Sequence, residues 1–361
     1  MKVFYVGSGL DGCYNVRALF PLQANGFDGD RTTFLAYRMT PENKALAAKE
    51  SDIVVFHRPQ REGKIELAKL LKKNGKKIVF DNDDTVKDDG GFKFNEFIDK
   101  ERIEQGLKKL NDHTDEFIAL ADLVTCSTEF LANEYRKINP NVIVLPNCID
   151  PFYFPEPLKN KGEKVRIGVT GSVGITSDIE VLKPILEHYK NDKRVQLVLF
   201  SLPPAKDDKI TRELYSEEYK FWDSIDIEWQ PFVPAEKYYD MLNDLRLDMV
   251  IIPRADNYFN RCKSNLKFIE NSMLEIPSVC QTFPTGDSPY QQNPSDAEYM
   301  LQAGNTEEFI EQIEKLITNK ELRIELGRKA RKYVEENYNI NSKAHLWREA
   351  YETLYENNRT K

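Results

Sequence analysis

The chain has 361 residues, of which 40% are hydrophobic and 30% are charged, the composition of an ordinary soluble globular protein. This length exceeds the size at which one hydrophobic core stops growing, so we expect two domains. The formal net charge of -8 comes without any long block of one sign, which disfavours general binding to nucleic acid.

The first half of the chain alternates between short apolar runs and helical patterns. Six runs are predicted strands: KVFYV, TTFLAY, DIVVFH, KKIVF, DLVTCS and VIVLPN. Helices are predicted between several of them, in PENKALAAKE, GKIELAKLLKKNG and STEFLANEYRKI. This alternation is typical of a parallel sheet that is covered on both faces.

A segment rich in Pro and Lys, CIDPFYFPEPLKNKGEK, follows and is predicted to be a linker. The alternation then restarts, with strands in VRIGVTG, VQLVLFS, IEWQPF, DMVIIPR and PSVCQ and helices in SDIEVLKPILEHYK, AEKYYDMLNDL and SNLKFIENSMLE. From Thr306 to about Asn358 the pattern is helical in three segments. In the last of these, Leu346, Ala350 and Leu354 recur at four-residue spacing, which predicts a buried face.

The five cysteines are scattered and form no CxxC pair and no zinc-ligand spacing, so reduced thiols in a cytosolic protein are expected. The opening residues MKVFYVGSGLDG lack the apolar segment of a signal peptide, and no run in the sequence is long enough to span a membrane. The expected location is cytoplasmic. Peripheral contact with the inner face of a membrane is compatible with it, and no oligomeric state follows from the sequence.

A glycine-rich turn follows the first predicted strand. GSGLDG, residues 7–12, matches the G-x-G-x-x-G pattern, whose glycines let the backbone approach a pyrophosphate. That pattern requires an acidic residue after the second strand, where this chain has Arg38, a residue that would suit the 2′-phosphate of NADP. An NADP enzyme and a tight turn without a ligand are therefore alternatives. We favour a glycine loop around Gly9 at the mouth of a cleft, with Asn15 and Arg17 reaching the same space.

Four polar residues, DNDD at 81–84, follow the strand KKIVF. Clustered carboxylates at a strand end can bind Mg²⁺ through oxygen ligands, cap a helix, bind a sugar hydroxyl or supply a base. No His and no further acidic cluster accompany them, so we favour a polar role in lining the cleft over a metal site. HRP follows the apolar run DIVVF, which adds His57 and Arg58 as candidates. A buried histidine that packs at a strand end is an equally good interpretation of His57.

The most informative segment is RADNYFNRCKSNLKFIENSMLEIPSVC, residues 254–280. A helix is predicted to begin near Ser264, a good N-cap residue, with Lys263 and Lys267 on one face of its first turns. The N–H groups and positive dipole end of such a helix favour phosphate. Glu270, one turn later, can accept hydrogen bonds from ribose hydroxyls. The alternative is a solvated amphipathic helix whose charges have no ligand.

A second glycine-containing loop, TGSVGITSD, ends the first strand of the second half. Gly171, Ser172 and Gly174 allow close approach of the backbone, and Thr176, Ser177 or Asp178 can cap the next helix. This loop is a candidate phosphate-binding loop. In open parallel sheets, ligands bind outside the carboxyl ends of the strands, so two such domains suggest two half-sites that face each other.

These segments resemble the bacterial glycosyltransferases of the large retaining GT-B group called family four. The similarity covers nearly the whole chain and is strongest in VRIGVTGSVGITSDIEVL, EKYYDMLNDLRLDMVIIP and FNRCKSNLKFIENSMLEIPSV. That family has two glutamates separated by seven residues, and the second, which holds the ribose, corresponds to Glu270. The first corresponds to Cys262. The chain therefore resembles the subgroup with Asn-x-x-Lys-Ser in this place, here Asn260, Lys263 and Ser264.

The resemblance implies an α/β fold of two Rossmann-like domains, the GT-B arrangement, that face a central cleft. The expected domains are 1–156 for the acceptor and 157–341 for the nucleotide sugar, and the last helix, 342–361, is expected to return to the first domain. The family's Arg and Lys pair is absent from TGSVGITSD, so Lys263, with Arg254 or Lys267, is expected to supply positive charge. On the acceptor side, the candidates are Asp83, Asp84, His57 and Arg58.

The function that the resemblance implies is transfer of a sugar, with retention, from a nucleotide-diphosphate sugar to a hydroxyl of a glycan or glycolipid, in bacterial glycan or glycoconjugate synthesis. No cofactor and no metal are expected. A non-hydrolysing nucleotide-sugar epimerase shares the two-domain plan and is the alternative enzyme. A nucleotide-sugar-binding protein without catalysis is the third hypothesis.

Overall fold

The computed structural model of the chain describes residues 1–7, 12–25, 34–36, 40–59, 62–85, 100–171, 177–200 and 216–356. Within these residues, two six-stranded sheets form the framework, one built from each half of the chain. Every strand pair in both sheets is parallel. The predicted α/β class is therefore confirmed.

The first sheet has the strand order β2-β1-β3-β4-β5-β6. Its strands are β1 (Val3–Val6), β2 (Phe34–Ala36), β3 (Ile53–His57), β4 (Lys77–Asn82), β5 (Leu123–Cys126) and β6 (Val142–Val144). In the register of this sheet, Val54 lies between Phe4 and Ile78. All residues of β1 and β3 are buried, which explains why these strands are continuous apolar runs in the sequence instead of alternating ones.

Helices connect these strands. The first, α1, consists of three contiguous pieces, Gly12–Tyr14, the π-helical Asn15–Leu19 and Phe20–Ala24; then come α2 (Pro41–Glu50), α3 (Glu62–Lys73), α4 (Lys100–Leu120) and α5 (Glu129–Arg136). Thr40 and Thr128 determine where α2 and α5 begin, because their hydroxyls accept hydrogen bonds from backbone N–H groups of the first turn. We predicted no helix where α4 lies, although its buried Phe117 and Ile118 anchor it to the sheet.

The second sheet has the order β12-β11-β10-β7-β8-β9. Its strands are β7 (Val165–Thr170), β8 (Val195–Phe200), β9 (Ile227–Gln230), β10 (Met249–Ile252), β11 (Ser278–Gln281) and β12 (Leu301–Ala303). The sequence predicts the first five. We missed β12, because Gln302 separates its two apolar residues and no continuous apolar run marks the strand.

Eight helices are described in the second half: α6 (Asp178–Tyr189), α7 (Ser216–Asp223), α8 (Tyr238–Asp244), α9 (Tyr258–Arg261), α10 (Leu266–Met273), α11 (Thr306–Thr318), α12 (Lys320–Asn337) and α13 (Ile340–Glu356). The helix α12 packs tightly on the turn that follows α10. A Cβ atom added at Gly327 would lie 2.3 Å from the carbonyl oxygen of Glu275, so only glycine permits this approach.

The last helix returns to the first half of the chain. The chain passes between the two halves twice, near Ile149 and again near Asn339. These two residues form a parallel β-bridge, so the two connections lie side by side. From there α13 buries Trp347 and Tyr351 in the apolar cluster that also holds Val16 of α1. The predicted return of this helix is confirmed.

The buried face of α13 differs in detail from the prediction. Ala350 is buried as expected, but Leu346 and Leu354 are only partly buried, and Trp347 and Tyr351 lie deeper. Among the described helices, none has both the length and the apolar character required to cross a membrane.

Candidate functional site

The two sheets face each other with the carboxyl ends of their strands. A cavity of about 410 Å³ lies between them, at the points where strand order reverses, β1/β3 in one sheet and β7/β10 in the other. This volume is within the range of small-molecule sites, about 300–1,000 Å³. The charged side chains that line it are Arg58, Asp83, Asp84, Asp178, Arg254, Lys263, Lys267 and Glu270.

On the side of the first sheet, Arg58 holds two of the predicted carboxylates. Its Nε and Nη2 donate to Asp83 Oδ1 at 2.9 and 2.6 Å, and Nη2 lies 3.1 Å from Asp84 Oδ2. Burial raises the pKa of Asp83, but the opposing charge of Arg58 holds this pKa well below its ordinary value. Arg58 itself has a φ of 46°, a strained conformation for a residue with a side chain, and such strain is concentrated at functional sites.

Beneath these residues lies a buried polar network around Asp81. Its carboxylate accepts hydrogen bonds from Arg17 Nη2 and Thr125 Oγ1, both at 2.6 Å, and lies 2.9 Å from His57 Nδ1. Although burial alone would raise the pKa of Asp81, the charge of Arg17 brings it to about 2. Asp81 is thereby fixed inside the first domain.

The position of Arg17 differs from the prediction that this residue reaches the cleft. Its side chain is 1% exposed and also donates to the carbonyl oxygen of Leu145 and to Asn147 Oδ1. A buried guanidinium needs such partners, and the strand ends of the first sheet supply them. His57 is equally buried, in agreement with its interpretation as a histidine at a strand end, and its Nε2 lies 3.9 Å from Asp83 Oδ1.

On the side of the second sheet, the predicted donor helix begins one residue later than expected. The helix α10 starts at Leu266, and Asn265 occupies the N-cap position predicted for Ser264. Lys263 therefore precedes the helix and does not share a face of its first turns with Lys267. The reason is Asn265 Nδ2, which donates to Asp296 Oδ2 and to Tyr338 Oη, and so fixes the chain at the start of α10.

Lys267 and Glu270 form a pair at the wall of the cavity. Lys267 Nζ donates to Glu270 Oε2 at 2.9 Å and to Tyr238 Oη at 2.7 Å, and Tyr239 Oη donates to Glu270 Oε1 at 3.5 Å. Burial opposes the charge on Lys267, yet Glu270 and Tyr238 raise its pKa above the ordinary value. Glu270 is 3% exposed, so what remains of its surface faces the cavity that it lines.

A third cluster joins Arg254 to Asp178. Arg254 Nη1 donates to Asp178 Oδ2 at 2.6 Å, while Asp178 Oδ1 accepts from the backbone N–H of Ala255 and from Asn260 Nδ2. Asn260 is buried and is not among the residues that line the cavity. It contacts Asp178, the partner of Arg254. The sequence marked Asp178 only as a helix cap. Its pairing with Arg254 arises from the adjacency of β7 and β10, which are far apart in the chain.

The two glycine loops are described only in part. Gly9 and Ser172 lie outside the described residues. Gly171 lines the cavity with a φ of 101°, which favours glycine, and a Cβ atom there would lie 3.5 Å from Lys267 Cε.

Aromatic side chains form much of the remaining wall, and we did not predict them. They are Phe200, Phe232, Tyr238, Tyr239 and Phe259. Lys263 Nζ lies 3.9 Å above the ring of Phe259 and Lys267 Nζ 4.5 Å above that of Tyr238, both favourable cation–π contacts. Phe232 is 59% exposed and follows β9 in the run IEWQPF. A phenylalanine directly after a proline at a strand end is the sequence feature that could have indicated an aromatic side chain at the cavity.

Several contacts join the two halves across the cavity. Asn147 Nδ2 donates to Ser264 Oγ at 2.9 Å, and Lys263 Nζ lies 3.7 Å from Asp84 Oδ2. Outside the cavity, Tyr258 Oη lies 3.1 Å from Glu134 Oε2. The segment that carries Lys263 and Ser264 is therefore in contact with both halves.

No group of three or more His, Cys, Asp or Glu side chains in the described part of the chain is placed to hold a metal ion. The carboxylates at 81–84 do not converge on one point, as the ligands of a metal ion would. Asp81 faces Arg17, whereas Asp83 and Asp84 face Arg58.

No protein-family model matches the chain, and no curated protein matches it in sequence. Solved structures do match. Sucrose-phosphate synthase from Thermosynechococcus elongatus has a TM-score of 0.67 at 13% identity, covering 98% of this chain and 99% of that one. Anabaena HepE has a TM-score of 0.62 at 10% identity, covering 98% of this chain and all of HepE.

TarM has a TM-score of 0.58 at 17% identity, covering 85% of this chain; the match spans 58% of the length of TarM. At these identities the likeness concerns the fold. The chain has the GT-B fold, with two Rossmann-like units that face a central cleft and a C-terminal helix that crosses back to the first.

Proposed function

We propose that the chain is a glycosyltransferase that moves a sugar from a nucleotide-diphosphate sugar to an acceptor hydroxyl, with retention at the anomeric carbon. The observation that carries this proposal is the buried Glu270, which lines the cavity next to Lys267 at the start of α10. A carboxylate for a ribose and cations for a diphosphate thus lie on adjoining turns of chain. We propose 1–156 with the last helix, 342–361, as the acceptor domain and 157–341 as the donor domain.

On the donor side, the diphosphate would lie near Lys263, Lys267 and Arg254. Backbone N–H groups at the start of α10 and the dipole of this helix favour the same anion. Gly171 adds a place where the backbone can approach the diphosphate closely, because its φ of 101° favours glycine, which has no side chain to intervene. These groups would stabilise the negative charge of the diphosphate, which is the role of a bound metal ion in metal-dependent enzymes.

On the acceptor side, Asp83 and Asp84 are held by Arg58 at the edge of the cavity. Because the pKa of Asp83 is lowered, this carboxylate stays ionised and can accept a hydrogen bond from a sugar hydroxyl. We assign His57 to the support of these carboxylates, since it is buried between Asp81 and Asp83.

Alignment of the two substrates and stabilisation of the leaving diphosphate would provide most of the rate enhancement. Negative charge grows on the leaving phosphate in the transition state, so Lys263 would bind it more strongly there than in the ground state. No covalent intermediate with the protein is required by this scheme.

Two structural neighbours support a nucleoside diphosphate as the ligand class. The HepE structure contains UDP and glucose. The catalytic domain of starch synthase IV from Arabidopsis thaliana, with a TM-score of 0.61 at 11% identity, is bound to ADP and acarbose. A glycan or glycolipid acceptor in bacterial glycan synthesis is our proposal for the second substrate.

The test has two stages. Thermal shift with UDP-, GDP-, ADP-, CDP- and dTDP-sugars identifies the donor, because a ligand that binds the folded state alone raises the melting temperature. Release of the nucleotide from that donor is then measured with and without a panel of free sugars, alkyl glycosides and bacterial lipid extract. Release that depends on acceptor supports the proposal. Conversion of the sugar without release indicates an epimerase, and binding without either reaction indicates a binding protein.

A further inference from the structure

The cavity pairs its positive charges with carboxylates. Among the described lining residues, four cationic side chains, Arg58, Arg254, Lys263 and Lys267, are matched by four carboxylates, Asp83, Asp84, Asp178 and Glu270. The cavity is thus close to neutral although it is proposed to take a diphosphate. A polyanion that enters therefore competes with these carboxylates for the cationic side chains.

The four pairs differ in geometry. Arg58–Asp83 at 2.6 Å, Arg254–Asp178 at 2.6 Å and Lys267–Glu270 at 2.9 Å each join residues of one half of the chain. Lys263–Asp84 at 3.7 Å joins the two halves across the cavity. The longest pair is thus the one that a relative movement of the two sheets would alter.

The Lys263–Asp84 pair is also accessible. The two side chains are 25% and 18% exposed, so water screens part of their attraction, and at 3.7 Å the contact is longer than in the other three pairs. Burial lowers the pKa of Lys263, and the charge of Asp84 opposes this effect. Lys263 therefore benefits from an adjacent anion, and Asp84 is an anion that a ligand can replace.

We propose that Asp84 is a displaceable counter-ion of Lys263, whose place the donor diphosphate takes, and that the released carboxylate then accepts a hydrogen bond from the acceptor hydroxyl. This inference rests on the proposed function, since it takes Lys263 as a phosphate-binding residue. Arg58 retains Asp84 after the exchange, because it contacts Asp84 independently of Lys263, at 3.1 Å. Donor binding thereby prepares the acceptor side, and the donor binds first.

If Asp84 competes with the diphosphate for Lys263, removing the charge of Asp84 should strengthen the binding of a nucleoside diphosphate, although Asp84 lines the cavity. Asp84→Asn keeps the shape of the side chain and removes the charge that competes for Lys263. We expect the affinity for the nucleoside diphosphate to rise by about two- to fivefold, the value of a partly exposed ion pair. Turnover at saturating donor should fall, because a carboxylate acceptor of the hydroxyl is lost.

Isothermal titration with UDP, GDP, ADP, CDP and dTDP measures the affinity, and the donor-dependent release assay measures turnover. Asp223→Asn is the matched control, since it changes the net charge equally at an exposed position at the end of α7. A double variant with Lys263→Gln should show no gain over Lys263→Gln alone, because Asp84 then has no Lys263 charge for which to compete with the diphosphate. Asp84→Ser provides the same measurements if the asparagine variant does not fold.

Tighter binding with slower turnover, and no gain in the double variant, is the result expected. Unchanged or weaker binding in a folded Asp84 variant would overturn the counter-ion role, while the wild-type titration leaves the proposed function standing. Unchanged turnover would overturn the role toward the acceptor. Absence of binding by the wild-type chain to all five diphosphates would overturn the proposed function together with this inference.

Discussion

Replacement of Glu270 by Gln is the sharpest test of the donor site. The glutamate is 3% exposed on α10, and its carboxylate accepts hydrogen bonds from Lys267 at 2.9 Å and from Tyr239 at 3.5 Å. Glutamine has nearly the same size but no charge, so the packing is preserved. Charge-assisted hydrogen bonds to a ribose contribute about 1.5–3 kcal/mol, and their loss should weaken binding by about 10- to 100-fold.

The cost to stability should be smaller than for an ordinary buried ion pair. Breaking a fully buried pair costs about 3–5 kcal/mol, because one charge is left without a partner. Lys267 keeps its hydrogen bond to Tyr238 at 2.7 Å, and its side chain is 23% exposed to water. We therefore expect a loss of about 1–2 kcal/mol in the free energy of unfolding.

Glu270→Ala should give at least the same loss of affinity for donor and free diphosphate, since both carry the ribose. Lys263→Ala should fail differently, because it weakens binding and also slows transfer at saturating donor. Titration calorimetry with the diphosphate, followed by turnover at saturating donor, separates the two effects.

Glu311→Gln is the matched control for the glutamate. It also removes a glutamate that pairs with a lysine of its own helix, at 2.8 Å, but on the exposed face of α11. It should leave affinity unchanged. If folded Glu270 and Lys263 variants bind the diphosphate as the wild type does, the donor site does not lie in this segment.

Treatment with EDTA should leave turnover unchanged, because Lys263 and the start of α10 are expected to meet the diphosphate; loss of turnover that Mg²⁺ or Mn²⁺ restores would contradict this. A chain that ends at Asn341 should be unfolded or inactive, and Trp347→Ala, which empties a buried site, should lower the free energy of unfolding by about 3–5 kcal/mol. A soluble and fully active truncated chain would show that α13 is dispensable. Although burial raises the pKa of Asp81, Arg17 brings it from 3.8 to about 2, so its contribution to stability is present above pH 3.8 and is lost toward pH 2. Urea denaturation between pH 5 and pH 2 should show a loss on the order of 2 kcal/mol from this group, and Asp81→Asn should lack that part of the pH dependence.

The fold could be predicted from the sequence because parallel strands that are buried on both faces are continuous apolar runs. KVFYV and DIVVFH illustrate this, since every residue of β1 and β3 is buried. The pattern failed for β12, in which Gln302 separates the two apolar residues. A helical pattern was overlooked in α4, where Ile103, Leu107 and Leu110 already recur at helical spacing before Phe117.

The candidate site was harder to predict, because its members are brought together by sheet order. Arg17 follows a glycine loop and was expected at a ligand, yet strand ends far along the chain surround its guanidinium and bury it. Asp178 illustrates the reverse case, since its partner Arg254 lies 76 residues away. Glu270 differs because its neighbours Lys263 and Lys267 are close in sequence, and the contact of Lys267 with it is local. The assigned roles and the domain limits at 156 and 341 stay predictions.

The bridge between Ile149 and Asn339 has a mechanical consequence. The backbone N–H of Ile149 donates to the carbonyl of Tyr338 at 2.9 Å, and that of Ile340 donates to the carbonyl of Ile149 at 2.8 Å, so both connections between the halves pass through one point. Two bodies whose chain connections meet at one point can separate by turning about it, without stretching either connection. A pair of fluorophores on opposite lips of the cleft would therefore report opening with a long lever arm. A pair placed beside the bridge would barely change its separation during the same movement.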